Sequence, residues 1–364
     1  MKIQLSVSHF LSVVFALSLL AGCKTTSFDT QDSGKTDASS TSSSSVLTVR
    51  VSTFVGRFVD RSENVPGEAD LSYPIGIAID ALGNLYVADS FNHRICKVTP
   101  EGAVSTLAGN GEQGGADGKG SAAQFVSPGG IAIDAAGNLY VTESSPGRIR
   151  KVSTEGMVTT LAERDSEDIV KNKFWHPNGI TVDALGNLFV TETTDGTIRK
   201  LSPDGVISII AGDGEETRFS EPNGIAIDKA GNLYIADSWN NRIQKVSPEG
   251  EVSTFVGSEK GLVDGVGSAA QFNNPHGIAI DAAGNLYVTD SFNNRIRKVT
   301  PKGEVSTIAG SGPADSYGGR QEGYADGPGN EAEFAFPADI AIDAAGKLYV
   351  TDYKNHRIRR IVIK

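Results

Sequence analysis

The chain has 364 residues, of which 33 are lysine or arginine and 44 are aspartate or glutamate, giving a formal net charge of −11 at pH 7. Proteins that bind nucleic acids carry a basic footprint, so this acidic balance argues against DNA or RNA as a partner. Only two cysteines are present, which excludes a disulfide-rich scaffold.

The first residues have the features of a bacterial lipoprotein signal. A weakly basic start at Met1-Lys2 precedes a short apolar run over 10–20, and Leu-Ala-Gly-Cys follows at 20–23. The apolar run is too short for a comfortable membrane span, so we predict a signal peptide over 1–22, with an uncleaved anchor helix as the alternative. Cleavage would leave Cys23 to carry acyl chains, palmitate among them, that anchor the protein in a membrane.

Three further expectations follow from this signal. Lys24 comes directly after the predicted lipidated cysteine, and by resemblance to Gram-negative sorting rules it favours the outer membrane of the cell envelope. Residues 23–46 are rich in serine and threonine and have almost nothing to bury, which predicts a flexible tether. With Cys23 acylated, Cys96 has no cysteine left to pair with, and we expect its thiol to be free and partly exposed.

The rest of the chain is a repeat. One block, Pro-x-Gly-Ile-Ala-Ile-Asp-x-x-Gly-Asn-Leu-Tyr-Val-x-Asp, followed by Arg-Ile-x-Lys-Val and Val-Ser-Thr-x-Ala-Gly, returns six times. Each copy contains four short apolar runs, rich in β-branched residues and tyrosine, that are separated by turn residues such as Gly83 and Gly102. We predict four antiparallel strands in each copy. The copies start at Pro74, Pro128, Pro177, Pro222, Pro275 and Pro337.

The two ends of the repeat region complete each other. The last copy ends in its third strand at 357–363, and the fourth strand that it lacks matches residues 51–56. A unit of this length cannot bury its own apolar surface, so the copies must stack or close into a ring. The sequence therefore predicts an all-β fold: a six-bladed β-propeller over 47–364, with antiparallel four-stranded blades, whose last blade is completed by the N-terminal strand.

The segment Gly-Asn-Leu-Tyr-Val-Ala-Asp-Ser-x-Asn-x-Arg-Ile resembles the NHL repeat, a family that forms six-bladed propellers. The resemblance covers residues 49–364. It implies a protein or RNA interaction platform, an extracytoplasmic sensor domain or, as in the peptide-amidating lyases, a metal enzyme.

The strand order divides the surface of the predicted ring into two faces. Connections between the first and second strands, and between the third and fourth, are short and nearly identical in every copy. Those on the opposite face vary, the longest being 311–336, and we expect this variable-loop face to be the working one.

Three of the variable connections share an Asp-Gly-x-Gly pattern that starts at Asp117, Asp264 and Asp326. A calcium site is one interpretation, but each loop offers a single acidic residue where an oxygen cage needs several ligands. The other interpretation is a capping box, as at Ser121 and Gln124, that starts one helical turn and buries the following phenylalanine.

The loop between the second and third strands carries an aromatic residue in three copies: Phe91, Trp239 and Phe292. Exposed aromatic rings on one face suit a protein, peptide or glycan partner, although each ring could instead pack on a neighbouring loop. The same loop is flanked by an aspartate and an arginine. The pairs Asp237 with Arg242 and Asp290 with Arg295 predict structural ion pairs.

Polar residues break the repeat at the predicted mouth of the central channel. Asn178, Asn223 and His276 stand between the proline and glycine of three consecutive copies, Asp339 replaces the glycine in the last copy, and His176 precedes a framework proline. This crescent of amide, imidazole and carboxylate groups could bind a ligand or a metal ion. The alternative is a water-filled channel mouth with scattered polar residues.

Together these features favour a lipid-anchored, monomeric binding or scaffold protein of the envelope, with no catalysis and no cofactor expected. Nucleophile elbows, metalloprotease helices and phosphate-binding loops are absent from the sequence. The alternative is a metal-dependent lyase or hydrolase with its site at His276, Asp339, Asn178 and Asn223. Of the zinc-binding histidines that the lyase resemblance implies, only His276 stands at a matching position.

Replacement of the predicted acylation site tests the envelope anchor. We expect Cys23→Ser to abolish labelling of the protein by radioactive palmitate in the bacterial host and to move it from the membrane pellet to the supernatant, because no acyl chains remain to hold it. Cys96→Ser is the control and should behave as the unmodified chain. Equal labelling of the two variants would contradict the prediction.

Overall fold

The computed structural model describes residues 48–56, 70–164, 173–215, 218–312 and 323–364. The predicted signal peptide, Cys23 and the tether lie outside these residues. The described strands form six antiparallel sheets, one for each copy of the repeat, and the predicted all-β six-bladed propeller is confirmed. None of the helices in these ranges is long and apolar enough to cross a membrane.

Each blade follows the same order, from an inner strand at the channel to an outer strand at the rim. Blade 1 contains Pro74–Ile79, Leu85–Asp89, Arg94–Val98 and Val104–Ala108. Blade 2 contains Ile131–Ile133, Leu139–Glu143, Arg148–Val152 and Met157–Glu163. Blade 3 contains Pro177–Val182, Leu188–Glu192, Thr197–Leu201 and Ile207–Ala211.

The second half of the ring repeats this order. Blade 4 contains Pro222–Ile227, Leu233–Asp237, Arg242–Val246 and Val252–Val256. Blade 5 contains Pro275–Ile280, Leu286–Asp290, Arg295–Val299 and Glu304–Ala309. Blade 6 contains Pro337–Ile342, Leu348–Asp352, Arg357–Ile363 and, as its outer strand, Val49–Val55. Single turns of 3-10 helix are Ser90–Asn92, Gly120–Ala122, Ser238–Asn240, Gly267–Ala269, Ser291–Asn293 and Tyr353–Asn355.

The N-terminal strand closes the ring as predicted. Val49 pairs with Ile363 and Val51 with Ile361 in antiparallel register. At the end of this ladder the backbone of Thr48 exchanges two hydrogen bonds with that of Lys364, at 2.8 and 3.0 Å. Val51 is buried in the core of blade 6, so the beginning of the domain holds its end by both hydrogen bonding and apolar contact.

The apolar core lies between the blades. Among the described residues the buried side chains form six clusters, and each cluster combines residues of two adjacent blades. In one of them Tyr234 and Ile243 of blade 4 pack with Leu286 and Val288 of blade 5. The unit of stability is therefore the junction between blades, which explains why a single copy of the repeat could not fold alone.

Three blades gain a short fifth strand that the sequence did not predict. The segments Gly118–Lys119, Gly265–Val266 and Gly327–Pro328 pair with the outer strands of blades 2, 5 and 6. These segments are the Asp-Gly-x-Gly loops. The predicted burial of Phe125 is confirmed, but the predicted capping box is wrong: the turn begins at Gly120, its cap is Lys119, and no side chain bonds to the cap.

The aspartates of these loops bind buried arginines instead. Arg297, at the centre of the third strand of blade 5, donates to Asp290 at 2.7 Å and to Asp264 at 2.8 Å. Asp264 also accepts hydrogen bonds from the backbone N–H and the hydroxyl of Thr307. The same arrangement recurs at Arg150 and Arg359. The Asp-Gly-x-Gly pattern is thus an arginine clamp that ties a variable loop to its blade.

The buried arginine also decides which ion pair forms beside the loop. In blades 1 and 4, where no arginine stands at the strand centre, Arg94 pairs with Asp89 at 2.7 Å and Arg242 with Asp237 at 2.8 Å. The prediction that Asp290 pairs with Arg295 is wrong. Arg297 takes the Asp290 carboxylate, and Arg295 donates to the carbonyl oxygen of Ser311 at 2.7 Å.

Cys96 stands at the strand centre of blade 1. It is fully buried, so the prediction of a partly exposed thiol is wrong. Its sulfur lies 3.8 Å from Asp89, and burial raises the pKa of the thiol. The equivalent residues of the other blades are buried as well, because the position faces the core of the sheet rather than solvent: Arg150, Arg199, Gln244, Arg297 and Arg359.

A double-mutant cycle in blade 5 tests this exchange of partners. Arg297→Gln gives blade 5 the side chain of blade 4, and we expect Arg295 to take over the Asp290 carboxylate. Arg297→Gln with Arg295→Ala leaves that buried carboxylate without a cation, which costs roughly 3–5 kcal/mol. Urea unfolding of the two single variants and the double variant should show that the double loss exceeds the sum of the single losses. Additive losses would contradict the exchange.

Candidate functional site

A cavity of about 210 Å³ occupies the central channel. The inner strands of all six blades line it, mostly with isoleucine side chains and glycine backbone. Three of the predicted polar residues, Asn178, His276 and Asp339, are also among its lining residues. Apolar side chains, glycine backbone and a small number of polar side chains therefore surround the channel, and such mixed linings occur in ligand pockets.

The inner strands approach each other closely, which explains the glycine of the Pro-x-Gly pattern that begins the copies of the repeat. A Cβ atom at Gly179 would lie 2.2 Å from the carbonyl oxygen of Asn223, and one at Gly224 would lie 2.3 Å from that of His276. Side-chain hydroxyls then bridge adjacent blades. Thr191 donates to the same Asn223 carbonyl at 2.8 Å.

Asp339 is the exception to this glycine rule. Its carboxylate crosses the junction between blades 6 and 1 and accepts a hydrogen bond from the N–H of Ile77 at 3.0 Å and from that of Ile340 at 2.9 Å. Burial raises the pKa of this carboxyl to about 7, and the two backbone hydrogen bonds oppose the rise. Across the described ranges no lysine or arginine pairs with it.

His276 lies on the neighbouring inner strand of blade 5. Its Nδ1 is 3.0 Å from the carbonyl oxygen of Ala338. Since a carbonyl oxygen only accepts, Nδ1 carries the proton and Nε2 keeps its lone pair. Burial lowers the pKa of this imidazole to about 4, so the ring is neutral at physiological pH.

The two predicted asparagines bond to each other. Asn178 donates from Nδ2 to Oδ1 of Asn223 at 2.5 Å, and Asn223 donates to the hydroxyl of Ser238 at 2.7 Å. Asn223 is buried behind Asn178 and is not part of the cavity lining. His176 is also outside the lining, because its Nδ1 is bonded to the hydroxyl of Thr194 at 2.7 Å.

These partners bear on the metal site that the sequence left open. The oxygens of Asp339 face two N–H donors, the imidazole Nδ1 faces a carbonyl, and the asparagines satisfy each other. Within the described residues no three His, Cys, Asp or Glu side chains are grouped to hold a metal ion. The residues of the crescent therefore do not fit a metal centre as they stand.

Aromatic rings form a row on the variable-loop face, and the row meets the cavity lining at Phe336, whose ring lies 5.9 Å from that of His276. The ring of Tyr73 lies 4.7 Å from that of Phe91 and 4.9 Å from that of Tyr353, measured between centroids. Tyr353 lies 5.6 Å from Phe336, which lies 5.7 Å from Phe292. These five residues form a continuous row across blades 1, 6 and 5, which we call the aromatic arc.

The three predicted aromatic residues lie in different surroundings. Phe91 and Phe292 are the two ends of the aromatic arc, so both do pack on neighbouring loops, yet Phe91 remains 51% exposed. Trp239 belongs to blade 4, is 65% exposed and has no ring contact with the arc.

Sequence reasoning missed the centre of the arc. Tyr73 and Phe336 precede the framework prolines of blades 1 and 6 and have positive φ angles of 50° and 53°. Bulky residues rarely adopt this conformation, and such strain is held where surrounding contacts fix it. Here the N–H of Tyr73 donates to Nδ1 of His356 at 3.2 Å, and the N–H of Phe336 donates to the side chain of Asn294 at 2.8 Å. An aromatic residue before the proline in these two copies alone was the available signal.

Comparisons with known proteins agree with this architecture. The model of the Virginiamycin B lyase family matches residues 113–309, that of the Teneurin NHL domain matches 272–362, and that of the NHL repeat matches 71–98. NHL repeat-containing protein 2 of Bos taurus is 39% identical over 102 residues, which are 27% of this chain and 13% of that protein. The chain thus covers about a tenth of the length of such curated relatives.

Solved structures share the fold at low sequence identity. A protein of unknown function from Bacteroides thetaiotaomicron has a TM-score of 0.69 at 20% identity, and an auxiliary nutrient binding protein from the same organism has 0.65 at 20%; both matches cover 87% of this chain and 76% of the other. A catalytically inactive histidine-to-alanine variant of virginiamycin B lyase from Staphylococcus aureus, with quinupristin, has 0.54 at 17%, covering 87% and 99%. These likenesses show a common fold.

The buried carboxylate in the channel predicts a dependence of stability on pH. Because the pKa of Asp339 is higher in the folded chain than in the unfolded chain, its contribution to stability is lost as pH rises from about 4 through 7. Asp339→Gly restores the residue of the other five blades. We expect its stability relative to the unmodified chain to increase by about 2–4 kcal/mol between pH 4 and pH 8, measured by urea unfolding. A difference that does not change with pH would contradict the assignment.

Proposed function

The chain belongs to the virginiamycin B lyase family, and we propose that it is a binding protein of the bacterial envelope that presents its variable-loop face to a protein, peptide or glycan. The observation that carries this proposal is the aromatic arc beside the channel mouth. Aromatic residues with one exposed face are enriched at binding surfaces because they bury a large area with few rotatable bonds.

The contrast between the two faces supports the choice of surface. On the opposite face, the hairpin between the first and second strands is held by its own aspartate. In blade 1, Asp80 accepts hydrogen bonds from the N–H of Leu82 and of Asn84, from the Asn84 amide and from the Tyr86 hydroxyl. Four further blades repeat this set at Asp134, Asp183, Asp228 and Asp281, completely or with one bond fewer. These aspartates and their hydrogen-bond donors stabilise the hairpins. Loop length and sequence therefore vary mainly on the variable-loop face.

The proposed location follows from the N-terminal sequence. Acyl chains on Cys23 would anchor the chain, with the outer membrane favoured by Lys24, and the serine-rich tether to residue 46 would give a reach of roughly 25–30 Å as a flexible coil. Ring closure satisfies the strand edges within one chain, which supports a monomer. The acidic net charge supports a partner other than nucleic acid.

The comparisons support a binding role at the level of fold. An auxiliary nutrient binding protein shares the propeller, so the architecture is compatible with ligand binding outside catalysis. Family membership itself favours a second candidate, a lyase or hydrolase acting at the channel mouth. That candidate would use the neutral imidazole of His276 and the Asp339 carboxyl, whose pKa of about 7 suits proton transfer. The lack of a fitting metal ligand set weighs against its metal-dependent form.

Partner capture from an envelope extract tests the binding proposal. The triple variant Phe91→Ala, Trp239→Ala, Phe292→Ala removes exposed rings from the variable-loop face and should reduce capture at least tenfold, while thermal unfolding shifts little. The matched control is Leu82→Ala with Leu185→Ala, which removes two side chains on the opposite face that are 81% and 80% exposed. Equal losses in the two variants, or full capture by the triple variant, would contradict the proposal.

The enzyme candidate is tested separately. His276→Ala should leave partner capture unchanged if the protein only binds. Breakdown of a captured ligand by the unmodified chain that disappears in His276→Ala would favour catalysis instead.

A further inference from the structure

We propose that the channel mouth binds an organic ammonium ion, with the Asp339 carboxylate as its counter-ion and the rings of Tyr73, Tyr353 and Phe336 as its aromatic rim. This inference deepens the proposed function by assigning a ligand class to the same face. It would hold equally for a free amine or for an ammonium group carried by a larger partner, because both offer the same charged group.

The first argument is the missing cation. Most other carboxylates at the core of this propeller have an arginine within hydrogen-bond distance, as Asp290 has Arg297 and Asp352 has Arg359, both at 2.7 Å. Asp339 has two backbone N–H groups and no ion pair with any described residue. A charge that is largely removed from water is unfavourable unless it is paired, and a cation from outside would complete the site.

The second argument is that ring closure does not require a carboxylate at this position. Five blades place glycine at the equivalent position: Gly76, Gly130, Gly179, Gly224 and Gly277. Blade 6 keeps the interblade bridge of its neighbours, with the Thr351 hydroxyl donating to the Ile75 carbonyl at 2.7 Å. The ring therefore closes here as elsewhere, and the acidic side chain is an addition that destabilises the folded chain at neutral pH.

The third argument is the position of the aromatic rim. Tyr73 and Phe336 come directly before the prolines that begin the inner strands of blades 1 and 6, and Asp339 spans the junction of these two strands. Tyr353 joins the two rings. Aromatic faces next to a carboxylate are the chemistry that recognises alkylated ammonium groups, since the ring faces attract the charge and the alkyl groups lose water.

The rim already accommodates one ammonium group. Lys354 places its Nζ 6.0 Å from the centre of the Phe336 ring. This contact shows that a cation can approach the rim, and it predicts that Lys354→Met strengthens the binding of an added ammonium ion by removing a like charge. The channel volume of about 210 Å³ exceeds the roughly 10–15 Å³ that one water needs, so a small organic group fits.

Titration calorimetry with choline tests the proposal. The full chain, in a non-ionic detergent and phosphate buffer at pH 8, is titrated with choline and with its uncharged carbon isostere, 3,3-dimethylbutan-1-ol. We expect choline to bind at least tenfold more tightly than the isostere. Asp339→Asn and Asp339→Gly should each weaken choline binding at least tenfold without lowering the thermal midpoint, and Leu82→Ala, on the opposite face, should leave it unchanged.

The pH profile provides an independent readout. A cation needs the carboxylate, so choline affinity should rise between pH 6 and pH 8 and binding should release protons below pH 7. The other titratable groups that face the site are His276 on the adjacent inner strand and Tyr73, Tyr353, His356 and Lys354 at the rim. His276→Gln should keep the profile, because its imidazole is already neutral over this range.

Three results would overturn the inference: no choline heat in the millimolar range, equal affinity for the isostere, or full affinity in Asp339→Gly. These results are distinct from those that test partner capture. Choline binding that survives the aromatic triple variant while capture is lost would support both proposals, and lost capture without choline binding would refute only this one.

Discussion

The pairing of Val49–Val55 with Arg357–Ile363 is the contact on which the rest of the structure depends. Each apolar cluster in the described part of the chain lies between two blades, so an open ring would leave two of these surfaces without a partner. The N-terminal strand supplies Val51 to one cluster and Val55 to the next. One strand therefore completes the hydrogen bonds of blade 6 and the cores on both of its sides, and it keeps the channel a closed cavity.

Closure brings the six inner strands into close contact, which in turn dictates the residues beside the channel. Where a Cβ would meet the neighbouring backbone at 2.2–2.4 Å, only glycine leaves the junction undisturbed. The polar groups of the framework are likewise satisfied internally, by the hairpin aspartates on one face and by the arginine clamps on the other. Asp339 departs from the glycine rule at the junction of blades 6 and 1, and the framework that the other five blades share does not require it.

The repeat allowed the fold to be predicted from sequence because each copy states the same strand and turn pattern, and because residues 51–56 match the strand that the last copy lacks. The hydrogen-bond and ion-pair partners of individual side chains were harder to predict. Asp290 has two arginines within seven residues, and the choice between them depends on Asp264, which reaches the site from a distant loop. Cys96 of blade 1 is equivalent to Arg297 of blade 5. Its burial depends on packing between blades, which the local sequence pattern does not reveal. Tyr73 and Phe336 were missed because their placement depends on a positive φ held by a neighbouring blade.

Asp339 shows how the repeat can be used as a reference for function. Five blades have glycine at this position, which shows what ring closure requires. The unfavourable burial of a carboxylate in the sixth blade therefore has a reason other than folding. The carboxylate opposes its own burial, as its raised pKa indicates. The positive φ angles of Tyr73 and Phe336 recur before the prolines of three other blades, at Ser127, Glu221 and Asn274, so it is the aromatic side chain that distinguishes this junction. An acidic side chain that the other five blades do without, and two aromatic side chains that directly precede the same pair of inner strands, have a common explanation if a cationic group binds there. Binding of such a group would then offset the free-energy cost of the ionised carboxylate.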